Sequence, residues 1–174
     1  CKSRDIVMVQ LLCRKGAQAN VRDNNDRTPL HEATAHGSIE MVRWLCEAGA
    51  DIAAGDCNGR TPLHEAVRHG ALDKAKWFIE QGAPLNVTDN SGWTPLHYAS
   101  FDGRADMVSL LLSCRANADI AAKDGRSPLA IAAGRGYAAV VRILLSWGAN
   151  VHARSLEGWT PLHWATRNGH REVS

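Results

Sequence analysis

The chain lacks most of what would mark an enzyme, a secreted protein or a membrane protein. No G-x-S-x-G turn, phosphate-binding glycine loop or H-E-x-x-H pair occurs in its 174 residues, so the common constellations of nucleophilic, phosphoryl-transfer and zinc-hydrolase chemistry are missing. No apolar run approaches the roughly 20 residues needed to cross a bilayer. No basic start leads into an apolar centre with a small-residue cleavage site. Charge of one sign is scarce: 20 Lys and Arg stand against 18 Asp and Glu, so no global field points to nucleic acid or to an acidic membrane. C-x-x-C pairs are absent as well: Cys1, Cys13, Cys46, Cys57 and Cys114 are odd in number and lack that spacing. Cys13 and Cys46 fall in apolar helical stretches, where they read as small core residues, and free thiols of this kind suit a reducing compartment. The expectation is an intracellular, cytoplasmic, non-catalytic protein with no cofactor, no nucleic-acid partner and no membrane insertion.

What is abundant is repetition. Thr-Pro-Leu-His starts at Thr28, Thr61 and Thr94, returns as Ser-Pro-Leu-Ala at Ser127, and appears again at Thr160, always after 33 residues. Gly37, Gly70, Gly103, Gly136 and Gly169 keep the same step. A fixed period of this length marks a solenoid, in which each unit buries its apolar face against its neighbours. In the unit 23–55, Asn24-Asn25-Asp26 is a run of turn formers, and Gly59 and Gly92 take the third place in the next two units, where a tight hairpin turn demands positive φ. Thr28 supplies an N-cap oxygen and Pro29 occupies the first helical position, where its missing N–H costs nothing. Leu30 and Ala33 face inward, and Gly37 is expected to end this helix as a left-handed cap. Ile39, Val42, Leu45 and Cys46 then form the apolar stripe of a second helix, which Gly49 closes. The first helix has only about eight residues, too few to be stable alone, so stacking is obligatory.

This pattern resembles the ankyrin repeat family along the whole chain. Full units read 23–55, 56–88, 89–121 and 122–154, with partial units at 1–22 and 155–174. The resemblance implies one all-α domain, an ankyrin-repeat solenoid of stacked helix-turn-helix units with projecting β-hairpin loops. It further implies that hairpins and first helices line a concave groove for another macromolecule. Both ends fall inside repeats without room for a polar capping unit, so a fragment of a longer protein is expected, with ends open to self-association.

His31, His64, His97 and His163 each fall third after the Thr. A residue repeated once per unit has a per-unit task, here to bond the Thr hydroxyl and a neighbouring backbone group. His36 and His69 sit one residue before the glycine and are expected to face the groove. Stacked elements about 10 Å apart are too distant to share one metal ion at about 2 Å per bond, so no metal site is expected. Asn20 and Asn86 hold the loop position that an asparaginyl hydroxylase can modify in ankyrin domains, and bridging of the hairpin backbone is the favoured reading.

Positions that the fold leaves variable carry the candidate binding residues. Arg27, Arg60, Trp93, Arg126 and Trp159 precede the Thr or Ser; Glu32, Glu65, Tyr98, Ile131 and Trp164 follow the His place; Ala35, Arg68, Phe101, Gly134 and Arg167 stand two before the glycine. Of these, Arg27, Glu32, Arg60, Glu65 and Arg68 form a charge-paired surface, while Trp93, Tyr98, Phe101, Arg126, Trp159 and Trp164 offer aromatic and Arg anchors of the type found at protein interfaces. A cage for methylated lysine from Trp93, Tyr98 and Phe101 with Glu65 is the lesser reading. Trp44 and Trp77 are expected in the core and Trp147 near a helix end. Arg115 replaces the glycine of Gly16, Gly49, Gly82 and Gly148, and Ala130 replaces the His, so Cys114–Gly136 is the expected weak joint. The function expected is a non-catalytic scaffold that binds a protein in the groove. The alternative is a regulatory or targeting segment of a larger enzyme, receptor or channel.

Overall fold

Each repeat opens with the same local event. A Thr or Ser in extended conformation caps a short helix that starts at Pro, as at Thr94 (φ −88°), whose side chain accepts from the His97 N–H. A computed structural model of the protein describes residues 2–169, with side chains from Ile6 onward. Cys1 and the end of the partial unit 155–174, beyond Gly169, lie outside the described residues.

The chain falls into two compact units, Cys1–Ala83 and Pro84–Ser174. The first holds α1 (Lys2–Arg14), α2 (Pro29–His36), α3 (Ile39–Glu47), α4 (Pro62–Arg68) and α5 (Leu72–Glu80). There α2 packs against α3 and α4, and α4 against α5. The second holds α6 (Pro95–Phe101), α7 (Ala105–Ser113), α8 (Pro128–Arg135), α9 (Ala138–Ser146) and α10 (Pro161–Arg167). Here α6 packs on α7 and α8, and α8 on α9 and α10. Helices alone make up the regular structure of the described residues, and no such helix is long and apolar enough to cross a membrane.

The loops between repeats turn back tightly without forming the strands of a β-hairpin. Asp56 N–H bonds Arg60 O at 2.9 Å and Asp89 N–H bonds Trp93 O at 2.9 Å, a single closure that is too short for a ladder. Asp26 takes φ 57° and Gly59, Gly92, Gly125 and Gly158 take φ of 75–80°, as the turn requires. Successive loops are also joined: Cys57 N–H donates to Asn25 O at 2.9 Å, and Lys123 N–H to Ser91 O at 2.9 Å.

Core positions recur with the period. Leu30, Val42, Leu45, Leu63 and Phe78 are buried in the first unit, as are Leu96, Met107, Leu111, Leu129 and Leu144 in the second. Each such side chain stabilises its stack by about 1.5–3 kcal/mol through burial alone. Trp44 and Trp77 are half-buried, Trp77 lying edge-on to Phe78 at 5.4 Å, and Trp147 is exposed. Leu12 in α1 and Leu162 in α10 hold core registers yet are 54% and 56% exposed.

The first repeat departs from its siblings at the end of α2. Gly37 is extended (φ −82°) instead of left-handed, and a Cβ there would lie 2.8 Å from Ala33 O. The expected glycine cap is replaced by a side chain from another helix. Lys74 of α5 is buried and its Nζ donates to Ala33 O at 3.2 Å and to Thr34 O and Gly37 O at 2.7 Å each. An ammonium at a helix C-terminus satisfies carbonyls that lack an intrahelical partner and faces the negative end of the macrodipole.

Candidate functional site

In the first unit the variable positions close on one another. The Glu65 side chain on α4 is only 1% exposed and has Arg68 Nη1 at 2.8 Å, His69 Nε2 at 3.4 Å, and Arg27 Nη1 and Arg60 Nε at 3.7 Å each. Asp56, which opens the turn before α4, is equally buried, with Arg60 Nη2 at 3.0 Å. Burial pushes its carboxyl upward, but the N–H groups of Arg60 and Asn58 and the Arg60 guanidinium outweigh this and hold it below the usual carboxylate range. Arg27 Nε also reaches the exposed Glu32 at 2.7 Å. Thus Glu65 lies beneath the arginines instead of on the surface beside them. A buried carboxylate is tolerable only when cations enclose it, so Arg27, Arg60 and Arg68 are drawn inward by what they cover.

The repeated histidines act as pins. Nδ1 of His31 accepts the Thr28 N–H at 3.1 Å and contacts Thr28 Oγ1 at 2.9 Å, which places the ring proton on Nε2, the donor to Arg60 O at 2.9 Å. His97 does the same toward Thr94 and Arg126 O, the latter at 3.3 Å. Burial keeps both rings neutral: it lowers His31 and pushes His97 down to about 4. His163 bonds Thr160 Oγ1 at 2.7 Å but remains exposed. His36 and His69 are exposed and meet edge-on at 5.8 Å. Among the described residues no three His, Cys, Asp or Glu side chains gather where a metal ion could be held. Asn20 donates to Gly49 O at 2.9 Å and accepts the Asp51 N–H at 2.8 Å, and Asn86 accepts the Asn117 N–H at 2.9 Å, so both bridge neighbouring loops.

In the second unit the same columns build a chain of rings and guanidinium groups. Trp93 lies 5.0 Å from Tyr98 and 5.3 Å from Phe101 between ring centroids. Tyr98 is anchored by donating its hydroxyl to Asp89 Oδ2 at 2.6 Å, while Asp89 Oδ1 accepts the N–H groups of Ser91 and Trp93. Arg135 stacks on Phe101 with Cζ 4.0 Å from the ring centre and donates Nε to Phe101 O at 3.3 Å. Trp93 and Tyr98, with Lys123, Asp124 and Arg126, line a concavity of about 620 Å³. Arg126 pairs with Asp124 at 2.7 Å and lies 5.4 Å over the ring of Trp164. Trp164 contacts Trp159 at 4.9 Å, and Arg167 covers Trp159 at 5.0 Å. Arg126, Leu156, Glu157 and Trp164 border a second concavity of about 420 Å³. Trp164 is half-buried and packs beside Gly134, where an added Cβ would make an ordinary contact at 3.4 Å from Trp164 Cβ.

Several contributors lie outside the three variable columns. Asp56 and Asp89 share the register of Asp23, the first residue of each turn, so the 33-residue step already set them apart. Arg135 shares the register of His36 and His69, and following that column two units further, past Asp102, would have found it. Lys74 gave no such signal, since its register holds Met41, Met107 and Val140.

The family model for ankyrin repeats, in three copies, matches residues 1–56, 49–124 and 111–174. No curated protein matches the chain.

Proposed function

The chain belongs to the ankyrin repeat family, and on that premise we propose that it is a non-catalytic scaffold that holds a protein partner against the turn loops and first helices of its second unit. Ankyrin repeats are in general protein-interaction modules. The reading is carried by Trp93, Tyr98 and Phe101, half-buried rings clustered beside the 620 Å³ concavity. Rings held in fixed rotamers contribute contact area with little further loss of entropy, which is why aromatic residues and Arg dominate interface energetics. Arg126, Trp159 and Trp164 extend the same surface. In the first unit Arg27, Arg60, Arg68 and the exposed Glu32 are the contact residues, and Glu65 acts as a positioning residue beneath them.

The test compares partners bound by the native chain with those bound by Trp93→Ala and by Arg126→Ala. Both variants lose those partners while circular dichroism stays unchanged. Trp147→Ala, which removes an exposed ring from the end of α9, retains them. Retention by Trp93→Ala and Arg126→Ala alike refutes the assignment of this face.

A further inference from the structure

The two units treat their arginines differently. In the first, Arg27, Arg60 and Arg68 all reach Glu65, Arg27 and Arg60 also reach Asp56, and Arg27 pairs with Glu32, so three guanidinium groups meet three carboxylates. In the second, guanidinium groups rest on rings: Arg135 on Phe101, Arg167 on Trp159 and Arg126 on Trp164. Arg126 has Asp124 as a partner. Among the described residues, Lys123, Arg135 and Arg167 have no carboxylate within ion-pair distance. Asp89, the buried acid of this face, spends its oxygens on the Tyr98 hydroxyl and two backbone N–H groups.

Stacking fixes a guanidinium through its face, and Arg135 gives up only its Nε donor, to Phe101 O. Arginine is weakly hydrated for a cation and meets a carboxylate through two parallel bonds, so a ring-mounted Arg is ordered before its ligand arrives. The rings are occupied in turn. Phe101, Trp159 and Trp164 each already carry a cation, which leaves a partner's lysine or arginine no vacant face there and adds repulsion. A nucleic-acid strand fits less well, because Asp124 borders both concavities and Glu157 the second, where a phosphate backbone would run.

We propose that this face takes an extended acidic segment of the partner protein, whose carboxylates meet Lys123, Arg135 and Arg167 while an apolar side chain enters the concavity beside Trp93. The proposal rests on the reading of the face as a protein-binding surface and adds the chemistry of what binds. Arg126, neutralised by Asp124, serves as the wall between the two concavities and not as the principal anion contact.

The experiment pans a library of random displayed dodecapeptides on the whole chain and measures the enriched peptides by fluorescence anisotropy. The expected pool is rich in Asp and Glu around one or two apolar residues. Its binding falls at least about ten-fold in the double variant Arg135→Gln/Arg167→Gln, as loss of paired charges at an interface does. It weakens further as salt rises from about 50 to 300 mM. Arg142→Gln, an exposed arginine on α9, leaves it unchanged. A neutral or basic pool that still depends on Trp93 overturns the acidic inference and spares the protein-binding reading. A pool indifferent to Trp93→Ala overturns the face itself. An absent pool, or tighter binding of an oligothymidine than of any peptide, also overturns the proposal.

Discussion

Lys74→Met isolates the bond set that ends α2. Methionine occupies the equivalent register at Met41 and Met107, so the helix face accepts its volume and shape. What disappears is the ammonium and its three donated bonds, to Ala33 O at 3.2 Å and to Thr34 O and Gly37 O at 2.7 Å each. Ala33 O keeps the Gly37 N–H at 2.9 Å, so two carbonyls bear the loss. A buried acceptor left unpaired costs about 1–3 kcal/mol. Against this, Met avoids the dehydration of an ammonium, which is itself a matter of several kcal/mol. Because the carbonyls stay in place when only the cation is removed, the unfavourable side wins, and a net loss of about 2 kcal/mol is expected. For a chain of this length that is a fall in melting temperature of about 4–8 °C. Thermal unfolding followed by circular dichroism gives the magnitude. Amide hydrogen exchange gives the place: protection of the α2 amides and of Gly37 falls, while that of α6 does not. A variant that melts at or above the native temperature with Gly37 equally protected refutes this account of the helix end.

His97 is held neutral by burial, with its pKa pushed from the ordinary 6.5 down to about 4. The unfolded chain therefore binds a proton that the folded chain refuses between those values, so stability is complete above about pH 6.5 and falls as pH drops toward 4, by on the order of 3 kcal/mol in all. An NMR titration should find the His97 ring unprotonated at pH 5, and a protonated ring at that pH contradicts the pinning geometry. Arg115 is left-handed at φ 68° where its siblings Gly49 and Gly82 are glycine. Arg115→Gly relieves that strain, less the added freedom of the unfolded chain, and should stabilise by about 0.5–1 kcal/mol in urea unfolding; no gain removes strain as an explanation. Within the second unit, amides from Cys114 to Gly136 should exchange faster than those from Asp89 to Gly103, since Ala130 supplies no imidazole pin, and equal protection counts against a weak joint there.

Much of the fold was legible because the repeat enforces local rules. The Thr cap, the Pro start and the turn residue with positive φ act within a few residues, so Thr28, Pro29 and Asp26 behave as their neighbours in sequence require. Gly37 is the exception: Ser38 after it caps α3 by accepting the Met41 N–H, which Ala71 and Arg104 do not do for their helices, and Lys74, 37 residues away, covers the carbonyls at the helix end. The binding columns were legible as positions but not as environments. Glu65 and Tyr98 share a column. One is buried among guanidinium groups and the other hydrogen-bonded to a buried aspartate. With an aspartate, Asp56 or Asp89, beneath each, the residue before the Thr decides the difference: Arg60 meets Glu65, whereas Trp93 packs on Tyr98, and no single column contains them all.

By itself the sequence determined the repeat: its 33-residue step, its helix pairs, its histidine pins and the absence of a recognisable catalytic constellation. These follow from capping, turn geometry and periodic burial, which are short-range and additive enough to be read from spacing. Only the tertiary structure decided which charges are consumed inside the fold and which remain for a partner. Arg68 and Arg167 occupy the same register, yet Arg68 reaches the buried Glu65 and Arg167 lies over the ring of Trp159. Coulombic and dehydration energies depend on distance and burial in three dimensions, and a register along the chain specifies neither.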